Sequence, residues 1–363
     1  MLLWLMACGE EPKGEPEVET PTVLDVSAQI QPYLESSGAP ALGTARIQGD
    51  VVTEMGVGGV RNIEMDTPVE LEDKWHLGSC TKAMTASLTA TFVEEGTLSW
   101  DTTLQEALGS LDYTIHEDYQ SVTIAMLLAH TGGTWGSLLE HTNTWQTMST
   151  ARPVMDIRQM VAEDVLTEAP EVTPGTTMLY SNAGYIIAGA ILEHMTGTSW
   201  ETLITERIFE PLEMNSCGFG PPDVDGDIAH PWGHYEGSPL DVDNPPSLGP
   251  AGTVHCSLAD WGLYIIDALN GVQGEPALLQ TTSYTALFAD QGHDYGLGWG
   301  IANRDWAGGT AYTHNGSNTL NAATVWMMPE LDEAYLMVAN SAEDEVWQTF
   351  DELVAFWVEY DAE

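Results

Sequence analysis

Three short motifs hold side chains suited to acyl-transfer chemistry. The first is Ser79-Cys80-Thr81-Lys82. With a helix starting at Ser79, residues i and i+3 share a face. The hydroxyl then lies beside an amine and near the positive end of the helix dipole. A serine needs a neighbouring base to become a nucleophile, and a desolvated lysine of lowered pKa can serve. Lys82 sits in an Ala-rich, apolar run of a chain that holds only three lysines, and a buried unpaired charge is costly. The second motif is Tyr180-Ser181-Asn182. A phenol held near a lysine can pass protons, and a carboxamide both donates to and accepts from a substrate amide. The third is His314-Asn315-Gly316-Ser317. Gly316 lets a substrate approach the backbone, and the Ser317 and Ser79 N–H groups can hold an oxyanion. Taken singly, each motif also reads as plain structure: a capped helix bearing a lysine, a cap before a core helix, and an Asn-Gly turn.

The elements that must position these groups follow from period and punctuation. Residues 24–34 alternate at helical period, and residues 41–60 read as two strands around Gln48-Gly49-Asp50. The run from Ser79 is helical to Glu95 and stops at Gly96. Residues 100–288 mix short helices with Gly/Pro loops, loosest over 223–250. Four strand-like stretches follow, at 295–302, 311–315, 322–328 and 334–340. Residues 343–360 form an amphipathic helix with Trp347, Phe350, Leu353, Val354 and Trp357 on one stripe. The two chain ends are expected to meet in one antiparallel sheet, giving an α/β (α+β) fold. Its α/β lobe takes residues of about 23–75 and 290–363, its all-helical lobe about 76–289, and a cleft lies between.

In this order the three motifs resemble S-x-x-K, Y-x-N and the K-T-G variant of the serine β-lactamase and penicillin-binding (D,D-peptidase) superfamily. The resemblance is to its class C-like branch, which holds β-lactamases, D,D-carboxypeptidases, D-aminopeptidases and esterases. The flanks of the motifs are similar too: residues 76–86, Leu127-Leu128-Ala129-His130-Thr131-Gly132-Gly133, Pro250-Ala251-Gly252-Thr253 and Tyr295-Gly296-Leu297-Gly298-Trp299. The resemblance implies a β-lactamase/transpeptidase-like fold, with an antiparallel sheet flanked by the terminal helices plus a helical lobe. It makes Ser79 the acylated nucleophile and Lys82 and Tyr180 its proton-transfer partners. Asn182 places the acyl part of the substrate, and His314, Gly316 and Ser317 line the other side. No counterpart of the class A deacylating glutamate is found, so deacylation falls to Tyr180 with Lys82. His314 departs from the lysine that holds a substrate carboxylate in β-lactamases and D,D-peptidases. Histidine there is common among esterase and aminopeptidase members.

Composition narrows the partners. Against 55 acidic residues stand 9 Lys and Arg, a formal net charge of −46. That excludes nucleic acid, whose phosphates need cations, and docking on anionic lipid through a basic patch. None of the six arginines lies beside a motif. A field of this sign should raise the pKa of both Lys82 and Tyr180, so added salt should move the basic limb of catalysis to lower pH. Hydrophobic residues at 43% suffice for a large core.

Leu5-Met6-Ala7-Cys8 resembles a bacterial lipobox, with Cys8 as the lipidated residue. Residues 1–8 read as a truncated lipoprotein signal, 9–22 as an acidic disordered tether and 23–363 as the hydrolase domain. Cys217 and Cys256 either pair in an oxidising compartment or stay buried thiols. His230 and His234 are separated by Pro231 and Gly233, which reads as loop, and no metal or cofactor is called for.

The resulting expectation is a β-lactamase-related serine hydrolase, monomeric, exported to a bacterial cell envelope and touching the membrane only through Cys8. It would act as an esterase or amidase on neutral or cationic small-molecule ester, amide or peptide substrates. The alternatives are a β-lactamase or D,D-carboxypeptidase, and a non-catalytic surface lipoprotein that binds cell-wall fragments.

Overall fold

A computed structural model describes residues 23–222 and 229–360. The expectations for Cys8 and the acidic tether lie outside these residues. Strands from both ends of the chain join in one seven-stranded sheet. Its order is Leu24–Asp25, Val51–Gly59, Ala41–Gln48, Glu333–Ala339, Ala322–Met328, Gly309–Ser317 and Gly300–Arg304. All pairs are antiparallel except Leu24–Asp25, which runs parallel to Val51–Gly59.

Strand periodicity explains why the sheet is covered on both faces. Along Glu333–Ala339, Ala334, Leu336 and Val338 belong to one buried cluster, while Tyr335, Met337 and Ala339 belong to the other. Successive residues point to opposite faces, so a strand buried throughout carries apolar residues on both. The second cluster is closed by the helices Ser27–Ser37 and Asp344–Glu359, which pack on each other. Val346, Phe350, Leu353, Val354 and Trp357 face inward from the C-terminal helix, and Trp347 is half-buried. Asp344 and Glu345 occupy its first turn, where the dipole favours acids. The helix Leu258–Gln273 lies on the opposite face.

The helix Thr81–Glu94 runs through the middle of the larger cluster. Eleven of its residues are buried, so it is covered on nearly every side, as a core helix is. Gly96 at φ +71° ends it. One expectation is corrected here. The region 76–289 is not all helical: Lys74–His76, Val254–Ser257 and Gly218–Phe219 form a small antiparallel sheet, with His234–Tyr235 and Ser238–Pro239 as a further pair. Strands of two to four residues carry too little alternation to be read from sequence. Cys217 and Cys256 are joined by a disulfide that ties this sheet to the preceding loop, and Cys80 is a buried free thiol.

Candidate active site

Ser79 does not open the long helix. It sits in a single 3-10 turn, Gly78–Cys80, immediately before Thr81. In that geometry residues i and i+3 eclipse, and Lys82 Nζ lies 3.0 Å from Ser79 Oγ. Nζ is also 2.7 Å from Asn182 Oδ1 and 2.6 Å from the carbonyl of Ala251. The last two oxygens only accept here. A neutral amine has two N–H groups and one lone pair. As an ammonium, Nζ donates to all three oxygens; once neutral, it can keep the Asn182 and Ala251 bonds and turn its lone pair to the Ser79 hydroxyl. Lys82 is fully buried, and burial holds its pKa well below the ordinary lysine value; buried Cys80 acts weakly the other way. Burial thus favours the neutral amine, the form in which Lys82 can act as a base toward Ser79.

Tyr180 and Asn182 are presented together because Ser181 between them is a helix cap. Ser181 has extended backbone, so its neighbours point the other way. Its hydroxyl accepts from Gly184 N and from Thr134 Oγ1 and donates to the Trp135 carbonyl. The cap also explains why the apolar helix Asn182–Thr196 begins where it does. Tyr180 keeps 39% of its surface exposed, and its ring centroid is 4.9 Å from Lys82 Nζ. Burial of the phenol pushes its pKa up, against a smaller lowering by its hydrogen bond with Ser79. The hydroxyl stays protonated and meets the same serine as Lys82.

His130 was quoted above only as part of a similar stretch. It is buried at φ +59°, its ring lies 4.3 Å from that of Tyr180, and its Nδ1 accepts from Ser181 N. Burial first, then Lys82 and His314, push its pKa well down.

His314 is 6% exposed and is not among the residues that line the cleft. Its Nδ1 is 2.7 Å from the Asn315 carbonyl, an obligate acceptor, so Nδ1 carries the proton. Its Nε2 then accepts from the Tyr295 hydroxyl at 2.9 Å. Burial, aided by Lys82, takes its pKa down to about 3. Both ring nitrogens are occupied in a neutral imidazole, which leaves nothing to hold a carboxylate. The signal for Tyr295 was present in the 295–299 stretch, but its role was not readable without the fold.

Gly316 and Ser317 end the strand Gly309–Ser317 where it crosses the nucleophile turn. A Cβ on Gly316 would lie 2.0 Å from the Leu77 carbonyl and 2.9 Å from Ser79 N, and one on Gly78 would lie 2.3 Å from Ser317 N. Only glycine permits this backbone approach. It brings the backbone of Ser317 against the turn that carries Ser79, so the N–H groups of these two residues are the candidates for an oxyanion hole.

These residues open on a cleft of about 450 Å³. Its walls carry Trp145, Leu138, Leu139, Val242 and Leu248, with amides from Asn182, Asn244 and Asn318. Trp145, from the helix Thr142–Met148, lines the cleft. Trp135 stacks on His141, and Trp232 borders a separate small hollow. Among the described residues no lysine or arginine faces the cleft apart from the buried Lys82. Arg158 lies behind its wall, paired with Glu193 and Glu201 and donating to the carbonyls of Pro246 and Ser247.

The Beta-lactamase family profile matches residues 26–355, so the chain belongs to this family of β-lactamase-fold serine hydrolases. Penicillin-binding protein 4 of Amycolatopsis lactamdurans is 27% identical over 72% of this chain and 70% of its own length. Unguisins hydrolase ungD of Aspergillus violaceofuscus is 24% identical over 89% of this chain but only 62% of its own length. Lovastatin esterase of Penicillium rubens is 29% identical over 42% of this chain and 41% of its own. The octameric penicillin-binding protein homologue from Pyrococcus abyssi superposes with a TM-score of 0.76 at 22% identity, over 92% of this chain and 77% of that one. That likeness shows the fold.

Proposed function

We propose that the protein is an esterase or amidase that forms an acyl-enzyme on Ser79 and acts on neutral or cationic acyl substrates. As Ser79 Oγ attacks the carbonyl, neutral Lys82 takes its proton, and the developing oxyanion is received by the N–H groups of Ser79 and Ser317. Asn182 holds Lys82 in place and offers its amide to the acyl portion. Tyr180 remains a phenol, so it relays the proton on to the leaving group rather than acting as a standing phenolate. Water then attacks the acyl-enzyme by the same route in reverse.

The observation that carries the substrate reading is His314. At the place where a carboxylate-binding cation would stand is a buried, neutral imidazole with both nitrogens engaged. Leu139 and Val242, 66% and 61% exposed at the cleft, favour an apolar group on the substrate. The Cys217–Cys256 disulfide supports an exported enzyme, since such bonds persist in oxidising compartments.

The test is a panel of neutral p-nitrophenyl esters, D-amino acid amides and the anionic β-lactam nitrocefin. The expected result is a kcat/KM for the best ester at least about 100-fold above that for nitrocefin, which corresponds to ~2.7 kcal/mol of discrimination. Comparable rates on nitrocefin would overturn the esterase reading and favour the β-lactamase one. No turnover of any member, together with no covalent labelling, would favour a binding module.

A further inference from the structure

We propose that Asp243 is the positioning residue of the oxyanion hole, fixing both backbone segments that supply its N–H groups, one through His76 and the other through Asn318. The proposal rests on the acyl-enzyme reading above, but it concerns a residue outside all three motifs.

On one side, His76 Nδ1 accepts from Gly78 N at 3.1 Å, so this nitrogen is unprotonated and Nε2 carries the hydrogen. Nε2 lies 3.2 Å from Asp243 Oδ1, with the two side chains 0% and 7% exposed. Neither His76 Nε2 nor Asp243 Oδ2 has an aligned hydrogen-bond partner among the described residues, though both atoms are buried. The Asp243 carboxylate, 3.2 Å away, is thus the acceptor that lies against Nε2. Gly78, which this imidazole holds, is at φ +50° and leads directly into Ser79.

On the other side, Asn318 Nδ2 donates to Asp243 Oδ1 at 2.7 Å, one residue beyond Ser317. The Asn318 Oδ1 in turn accepts from the backbone of Leu320 and Asn321, which locks the turn after the strand. Asn244 N adds a second hydrogen bond to Asp243 Oδ1, and Asn244 Nδ2 reaches the Gly252 carbonyl.

One carboxylate thus ties the turn before Ser79, the turn after Ser317 and the loop between them. Burial alone would push the Asp243 carboxyl up, but His76, Asn318 and Asn244 together bring it below the ordinary range, so it is ionised at neutral pH. A charged acceptor makes stronger hydrogen bonds than a neutral one. A shift of a few tenths of an ångström between Gly78 and Ser317 would misplace two donors that act on the transition state and hardly touch the ground state.

The experiment compares wild type with Asp243→Asn, which keeps shape and removes charge. It measures kcat and KM on a neutral p-nitrophenyl ester, inhibition by phenylboronic acid, and the fraction of sites titrated by a fluorophosphonate. Phenylboronic acid forms a reversible tetrahedral adduct, so its affinity reports the hole. The expected result is a kcat lowered about tenfold to a hundredfold, less than the ~10²–10³ for deleting a donor outright. KM should stay within about threefold, and boronate affinity should weaken in the same proportion as kcat. His76→Phe should behave alike, and the double variant should be no worse than the worse single one.

An unchanged kcat and boronate affinity in folded Asp243→Asn would overturn the proposal. So would a raised KM at constant kcat, which would make Asp243 a substrate ligand, or a loss wholly accounted for by fewer titratable sites. If Asp243→Asn fails to fold, Asn318→Ala carries the same test from the Ser317 side. Absence of fluorophosphonate labelling in the wild type would overturn the acyl-enzyme reading as well. Labelling of wild type with no effect of Asp243 would overturn this inference alone.

Discussion

Lys82 Nζ reaches three oxygens, of Ser79, Asn182 and Ala251, and its burial holds its pKa well below the ordinary lysine value. Tyr180 beside it is pushed toward the protonated form by burial. The division of labour that follows has a pH signature. A lysine whose pKa is lowered by burial is protonated, and idle, below that pKa and active above it. kcat/KM for a neutral ester should therefore rise once with pH, at a point well below the ordinary lysine value, and then stay level to about pH 10. Tyr180→Phe should lower kcat by ~10²–10⁴ and leave the ascending limb in place, because the limb belongs to Lys82. A descending limb near neutrality, or a loss under tenfold in Tyr180→Phe, contradicts this assignment. At this scale the sequence showed which residues the fold brings together, because Ser-x-x-Lys and Tyr-x-Asn are set by local spacing. It did not show the Ala251 carbonyl, the Tyr295 hydroxyl or Asp243, since each reaches the site by a long-range contact of backbone or loop that no spacing encodes.

The elements that deliver these groups are a 3-10 turn, a capped helix and a strand end. The crossing of the Gly78–Cys80 turn with Gly316 is the tightest backbone contact among them. Gly316→Ala would place a methyl against the Leu77 carbonyl, and the strand would have to back away from Ser79. The variant should lose more than 90% of its activity and about 1–3 kcal/mol of stability, as overpacked sites do. Ser317→Ala keeps the backbone N–H and should retain activity within about threefold. An active Gly316→Ala, or a dead Ser317→Ala, would show that the hole is not built from this crossing; steady-state assays with a thermal melt on each variant decide it. The longer strands were legible because residues such as 322–328 and 334–339 are continuously apolar. The helix Thr81–Glu94 was legible from its composition and the glycine after it. Its start was misplaced by two residues, because a 3-10 turn and an α-helical first turn demand the same side chains.

Across the whole molecule the net charge of −46 is expected to act on the fold more than on the site. The sequence alone suggested that this field would raise the pKa of Lys82. In the structure the dominant influence on Lys82 is burial, followed by Cys80, and no carboxylate is among its causes. Long-range repulsion between surface carboxylates is what salt screens, with a Debye length near ~10 Å at ~0.1 M and ~3 Å at ~1 M. The melting temperature should climb by several degrees from low to molar NaCl, while the ascending limb of kcat/KM moves by less than about 0.3 pH units. A limb that moves to lower pH by a unit or more would restore the field as a catalytic influence. The two-ended sheet and its cleft were legible from the order of helix, strand and loop signals. The small sheet around Cys256 and the position of each cleft loop were not. They depend on two-residue strands and on glycine and proline turns whose direction is decided by packing.

The central claim is that Ser79 carries the acyl group. Its most direct test is peptide mapping by mass spectrometry after reaction with a fluorophosphonate, on wild type and on Ser79→Ala of unchanged melting temperature. The account predicts one adduct per chain on the peptide holding Ser79 and none in the variant. An adduct on Ser181 or Ser317, or one that persists in Ser79→Ala, would contradict it.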